Sequence, residues 1–149
     1  MAGFSGFGVK LYKCNATQTT TMTAIAEMTG LDGAGPQRET HDVTSSDSTG
    51  QAAEFIPAGT YSWADLKISM RWAPANTTQQ AIITDLTCST STNTPTAMYA
   101  IKWNNATVSQ AIYVFKAMPT DFIPTAPYDG TMNANATFKI SGPVTVTTI

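Results

Sequence analysis

The chain has 149 residues, 42% of them hydrophobic, which is enough for one domain with its own core. Charged residues make up only 12%, the formal net charge is -2, and 26 residues are threonine. This composition suits strand surfaces and lacks the clustered cations of a tight nucleic-acid binder. No apolar run is long enough to cross a bilayer as a helix, and the opening MAGFSGFGVKLYKCN has neither the basic start nor the apolar stretch of a secretion signal. The expectation is a chain that stays in the cytosol unless a signal was cut away.

The first eight residues, with Phe4 and Phe7 spaced by small residues, read as an arm that becomes ordered only against neighbours. GVKLYKC at 8–14 and TAIAEMTGL at 23–31 follow as strands, the second closed by Gly33, Gly35 and Pro36. Residues 42–59 read as a long loop. YSWADLKISMRW at 61–72 alternates, placing Ala64, Leu66, Ile68, Met70 and Trp72 inward and Asp65, Lys67, Ser69 and Arg71 outward.

A helix is expected over 75–87, with Asn76 as N-cap, Gln79 completing a variant capping box, and Ile82, Ile83 and Leu86 on one side. MYAIKW at 98–103 and VSQAIYVFKAM at 108–118 form a hairpin across NNAT, whose asparagines tolerate a left-handed turn. TMNANATFKIS at 131–141 alternates again, with Met132, Ala134, Ala136, Phe138 and Ile140 inward. Its outward face of Thr131, Asn133, Asn135, Thr137 and Lys139 is polar and almost uncharged. PVTVTTI ends the chain as a last strand or extended arm. Residues 1–149 therefore form a single mainly β domain, an antiparallel β-sandwich or open barrel with one short α-helix and a long inter-strand loop.

The residues offer little for chemistry. His41 is the only histidine, and its neighbours Glu39, Asp42 and Asp47 fall short of the three or four N or S ligands of a zinc site and of a positioned triad. DVTSSDS lacks the glycine and terminal glutamate of a calcium loop, and no glycine cluster leads into a phosphate-binding fingerprint. Cys14 and Cys88 have no metal or redox spacing and are taken as buried free thiols, with a disulfide between them as the alternative. Trp63, Trp72 and Trp103 sit among apolar neighbours and read as core or interface. Four Asn-x-Thr triplets, at Asn15, Asn76, Asn105 and Asn135, are what a chain rich in both residues produces by chance. No catalytic role, metal or cofactor is expected.

Ile25 to Gly59, IAEMTGLDGAGPQRETHDVTSSDSTGQAAEFIPAG, followed by Leu66 to Leu86, LKISMRWAPANTTQQAIITDL, resembles the major tail tube protein of long-tailed bacteriophages. The likeness continues through the hairpin at 98–118 and APYDGTMNANATFKISGPV, and so covers most of the chain. It implies a structural virion protein whose hexameric rings stack into a tail tube, the conduit for DNA delivery into the host. Assembly in the host cytoplasm is implied, with no membrane insertion. Partners implied are further copies of itself, the tape measure, tail tip and terminator proteins, and DNA in transient passage.

In such a tube the long loop and the terminal arm contact the next ring. The implied contact residues are Phe4, Phe7, Arg38, Asp42, Ser45, Asp47, Phe55 and Ile56. A lumen that conducts DNA should avoid fixed cations, and Thr131, Asn133, Asn135 and Thr137 are candidates to line it. A solvated loop with Phe55 and Ile56 turned into their own core is the plain alternative. A secreted or surface β-sandwich that binds a ligand or carbohydrate stays open as a second function, and an enzyme built around His41 as a third.

Overall fold

The computed structural model describes residues 6–15, 18–33, 35–88, 97–103 and 111–148. Nine strands and one α-helix follow in the order β1 Lys10–Asn15, β2 Gln18–Ala24, β3 Met28–Asp32, β4 Pro36–Asp42, β5 Phe55–Trp63, β6 Leu66–Arg71, α1 Thr77–Thr87, β7 Ala97–Trp103, β8 Ala111–Thr125 and β9 Asn133–Thr148. Seven strands form one antiparallel sheet in the order β2-β1-β7-β8-β9-β6-β3, while β4 and β5 pair only with each other.

Strands β2 and β3 lie at opposite edges of this sheet, yet only three residues join them. The sheet must therefore curl until its two edges are drawn toward each other at this connection without pairing, which its right-handed twist favours. Three bonds hold the ends together: Ile25 N–H to Leu11 C=O at 3.0 Å, Arg71 N–H to Glu27 C=O at 2.9 Å, and Leu11 N–H to Met28 Sδ at 3.2 Å. The result is an open barrel, the second of the two forms expected from the sequence. Residues 23–31 are consequently two strands, because Glu27 turns the chain with φ of 58°.

Inside the roll, Leu11, Leu66, Ile68, Met70, Ile82, Tyr99, Ile101, Phe115 and Phe138 are buried in one cluster. Each large side chain removed from water contributes about 1.5–3 kcal/mol. The alternation of β6 and β9 is as expected, with Leu66, Ile68 and Met70 facing Ala134, Ala136 and Phe138 across a paired register. Met132 is the exception: it lies before β9 begins and is exposed. Cys14, Ala100, Ile112 and Val114 form a smaller cluster on the other face of β1, β7 and β8.

The expected strand at 61–72 is broken at Ala64–Asp65, where the chain leaves β5 for β6. Strand β8 runs on to Thr125, past the hairpin's expected end, and NNAT lies outside the described residues. Residues 143–148 of the expected last strand or arm continue β9 across a bulge at Gly142, whose φ is 80°, instead of forming a separate strand, and Ile149 lies outside the described residues.

Helix α1 is pinned at both ends. Asn76 caps it, accepting from the Thr78 N–H at 2.9 Å and the Thr78 hydroxyl at 2.6 Å. Gln79, fully buried, does not turn back to Asn76 as a capping box requires. It accepts from Ala73 N–H at 2.9 Å and donates to the carbonyls of Arg71 at 2.8 Å and Ala26 at 3.0 Å. These are orphan groups at the end of β6 and in the β2–β3 turn, and buried polar groups need such partners. At the other end Asp85 pairs with Lys13 Nζ at 2.7 Å and accepts from the Tyr99 hydroxyl at 2.8 Å. Burial, then the charge and hydrogen bond of Asp85, push the Tyr99 phenol pKa up.

Candidate assembly surface

The β4–β5 ribbon leaves the barrel at a fixed base. Gly33 has φ of 104°, in the region that only glycine enters freely, and its neighbourhood has no room for a side chain. Ala64 N–H donates to Gly35 C=O at 2.8 Å, and Pro36 opens β4 opposite Trp63. Pro36, expected to end a strand, begins one instead: a proline is tolerated as the first residue of a strand paired on one side only. Trp63 wedges the base against the barrel, edge-on to Tyr113 at 6.2 Å, and Trp103 meets the same ring at 5.7 Å. The indole N–H groups of Trp63 and Trp103 are buried and find no hydrogen-bond acceptor among the described residues.

Among the described residues, no second layer covers the ribbon beyond its base. Every residue of β4 is exposed, and in β5 only Ala58 and Trp63 are half-buried. Phe55 is 59% exposed, Ile56 49% and Tyr61 52%, so Phe55 and Ile56 do not turn into their own core. The Arg38 guanidinium lies 5.6 Å from the centre of the ring of its register partner Tyr61, next to the bulge between Arg38 and Thr40. Such a bulge twists a ribbon and hampers uncontrolled pairing along its edge.

The loop read as 42–59 is shorter than expected, since Phe55 to Gly59 belong to β5. Aromatic and β-branched residues there fit an extended backbone. The true connection, 43–54, is tightly bonded. Val43 N–H donates to Glu54 C=O at 2.9 Å, Glu54 N–H to the Thr44 hydroxyl at 2.8 Å, and Thr44 N–H to Asp42 Oδ1 at 2.8 Å. Ser45 and Ser48 close a turn through Ser45 N–H to Ser48 Oγ at 3.0 Å and Ser48 N–H to Ser45 C=O at 3.0 Å. Hydrogen bonds from Thr44, side chain first and backbone second, hold the Asp42 carboxyl below the usual carboxylate range.

Of the residues expected to make contacts, Arg38, Asp42, Ser45, Asp47, Phe55 and Ile56 come together on this one ribbon. Phe7 lies in the turn before β1 and is largely exposed, and Phe4 is outside the described residues. His41 is exposed opposite Ile56. Among the described residues, no three His, Cys, Asp or Glu side chains are grouped to hold a metal ion. Both cysteines are free, with Cys14 buried and Cys88 half-buried instead of fully buried.

The candidates on the other strand face also gain a context. Asn133, Asn135 and Thr137 stand opposite Arg71, Ser69 and Lys67 on the outer face of the sheet, and Thr131 accepts from Arg71 Nη1 at 3.2 Å. That face is therefore not the nearly uncharged surface read from β9 alone, because the neighbouring strands bring cations to it. Tyr61 and Glu54 on the ribbon were not singled out as contact residues beforehand, and Glu39 was weighed only as a partner of His41. Tyr61 was read as part of the 61–72 strand, and Glu54 has no motif to mark it.

The backbone matches chains of several solved tail and tube assemblies. It is similar to a chain in the tail of an empty GTA particle solved by helical refinement with C6 symmetry, with a TM-score of 0.70 and 18% identity over 93% of this chain and 95% of that one. It is similar to the SPP1 tail tube subunit, with a TM-score of 0.65 and 9% identity over 93% and 75%. It is also similar to a chain of the sheath/tube terminator of an extracellular contractile injection system, PVC, with a TM-score of 0.69 and 12% identity over 99% and 98%. Identities this low establish a common fold. No protein-family model and no curated protein sequence matches the chain.

Proposed function

We propose that this chain is the subunit of a tail tube. It assembles into hexameric rings that stack into a conduit for DNA delivery in a virion tail, and it is built in the host cytoplasm. Its role is structural, without catalysis or a cofactor. Its partners are further copies of itself, then the proteins that fill, start and terminate the tube.

The observation that carries this reading is the β4–β5 ribbon on this fold. Two strands with water on both faces are marginal by themselves, and this ribbon also holds Phe55, Ile56 and Tyr61 in the open. Contact with another subunit would cover both. The fold is shared with a chain of the GTA tail solved with C6 symmetry and with the SPP1 tail tube. Among the described residues β2 and β3 each pair on one side only, which leaves backbone for lateral joining, and the exposed ribbon supplies a heterologous contact that propagates.

Deleting residues 44–53 separates ring stacking from folding, because the ladder from Pro36–Trp63 to Asp42–Phe55 lies outside the deletion and Val43 with Glu54 can close it as a two-residue turn. The shortened chain should keep its far-ultraviolet circular dichroism and a cooperative melt while forming no stacked tubes in electron micrographs. Normal tubes from this deletion would overturn the reading of the ribbon.

A further inference from the structure

The outer face of the barrel and the ribbon carry opposite charge. Six of the eight basic residues, Lys10, Lys67, Arg71, Lys102, Lys116 and Lys139, stand on the sheet face opposite the main core. The carboxylates in the same registers are Asp32, opposite Lys67, and Asp121, opposite Thr137. Lys116, Lys139, Lys67 and Arg71 form a diagonal stripe over β8, β9 and β6, because Lys116 pairs with Ser141, Lys139 with Met118, Lys67 with Thr137 and Arg71 with Asn133. Among the described residues, the ion pair within 4 Å is Lys13–Asp85, so no carboxylate meets any lysine of the stripe. Lys10 and Lys102 even stand directly opposite each other on β1 and β7, an arrangement that costs stability.

The ribbon reverses this balance. Glu39, Asp42, Asp47 and Glu54 are all exposed there against the single cation Arg38, which is occupied with the Tyr61 ring. It ends in apolar Phe55 and Ile56, and the cationic face has an exposed apolar spot of its own at Ile123, opposite Asn135. Its strands, up to nine residues long, reach on the order of 25 Å.

We infer that the ribbon of one copy docks on the outer face of a second copy, its carboxylates against the Lys116–Lys139–Lys67–Arg71 stripe and Phe55 and Ile56 beside Ile123. This rests on the tube reading and names the acceptor of its stacking contact. Complementary potentials fix register and reject wrong partners, which suits a contact that must repeat identically along a tube. The same cations make this face a poor wall for a conduit, since each would hold a phosphate. Asn133, Asn135 and Thr137 then belong to the joint between copies, and the lumen lies elsewhere.

Charge exchange tests it on the full chain. One variant reverses the ribbon, Glu39→Lys with Glu54→Lys, and another the stripe, Lys116→Glu with Lys139→Glu; all four side chains are exposed. Circular dichroism and melting curves confirm that both are folded. Each variant alone should yield at least about tenfold less sedimentable polymer than the unmodified chain. Mixing the two should restore polymer, because each ribbon then meets an opposite face on the other variant. Polymer from either variant alone at the unmodified level, or no restoration in the mixture, overturns the docking. Unmodified chain that forms no polymer at all is the separate result that removes the tube reading itself. As a second measurement, polymer of the unmodified chain should fall as salt rises and screens the contact, and indifference to salt would also overturn it.

Discussion

The backbone carbonyl oxygen of Asp65 stands where a side chain on Gly33 would begin, 2.3 Å from the Cβ that any other residue would place there. Gly33 lies where the chain leaves β3 for the ribbon, and Asp65 where it returns from the ribbon to β6. Their close approach sets the root of the ribbon and hence its direction. Gly33→Ala should combine this clash with a left-handed backbone and destabilise the fold by at least about 2 kcal/mol in urea titration. A change under about 0.5 kcal/mol would show that the root is not constrained in this way.

Gln79 joins helix α1 to three backbone groups of the barrel with one buried side chain. Gln79→Leu keeps the approximate volume and leaves those groups unpaired in the interior. The expected cost is about 2–4 kcal/mol, seen as a lower urea midpoint with an unchanged slope. Replacing the neighbouring exposed Gln80 by Leu should change the midpoint little, and equal effects at the two positions would contradict this account.

The Asp42 carboxyl gives the ribbon tip a defined pH dependence. Its folded pKa is depressed, so its contribution is fully present above the ordinary carboxylate value of about 3.9 and is lost as pH falls through the lower folded value. The Thr44 amide resonance should titrate with a midpoint below about 3.9, and its hydrogen exchange should quicken in the same window relative to the intrinsic rate. A midpoint at or above the ordinary value would show that Thr44 does not hold this carboxylate.

Cys14 and Cys88 should differ in reactivity. Burial pushes the Cys14 thiol pKa up, which leaves little thiolate and no access, whereas Cys88 is partly exposed at the end of α1. Under native conditions a maleimide should label Cys88 at least about tenfold faster than Cys14, with both labelled in denaturant. Equal native rates would mean that the β1–β7 face around Cys14 opens readily.

Much of the barrel was legible because its strands write their burial into a two-residue period. LKISMR and NANATFKI declare their inner faces directly, and Asn76 announces the helix start. What escaped was long-range. Nothing local to TAIAEMTGL says that its two halves lie at opposite edges of one sheet, or that a single residue, Glu27, turns between them. YSWADLKISMRW reads as one alternating strand, yet its phase changes at Ala64–Asp65, so that Trp63 and Leu66, three residues apart, pack on the same core.

The candidate surface was half legible for the same reason. Arg38, Asp42, Phe55 and Ile56 are near enough in sequence to be grouped by eye, but their exposure depends on no other strand covering the ribbon. The outer cations are scattered from Lys10 to Lys139 and become a stripe only in the register of the sheet.

The central claim is assembly, and negative-stain electron microscopy of the purified full-length chain tests it most directly. The account predicts six-fold rings and hollow tubes built from this chain alone, with the ribbon density bridging consecutive rings. A stable monomer at every concentration and ionic strength tried, with no rings or tubes on the grid, would contradict it.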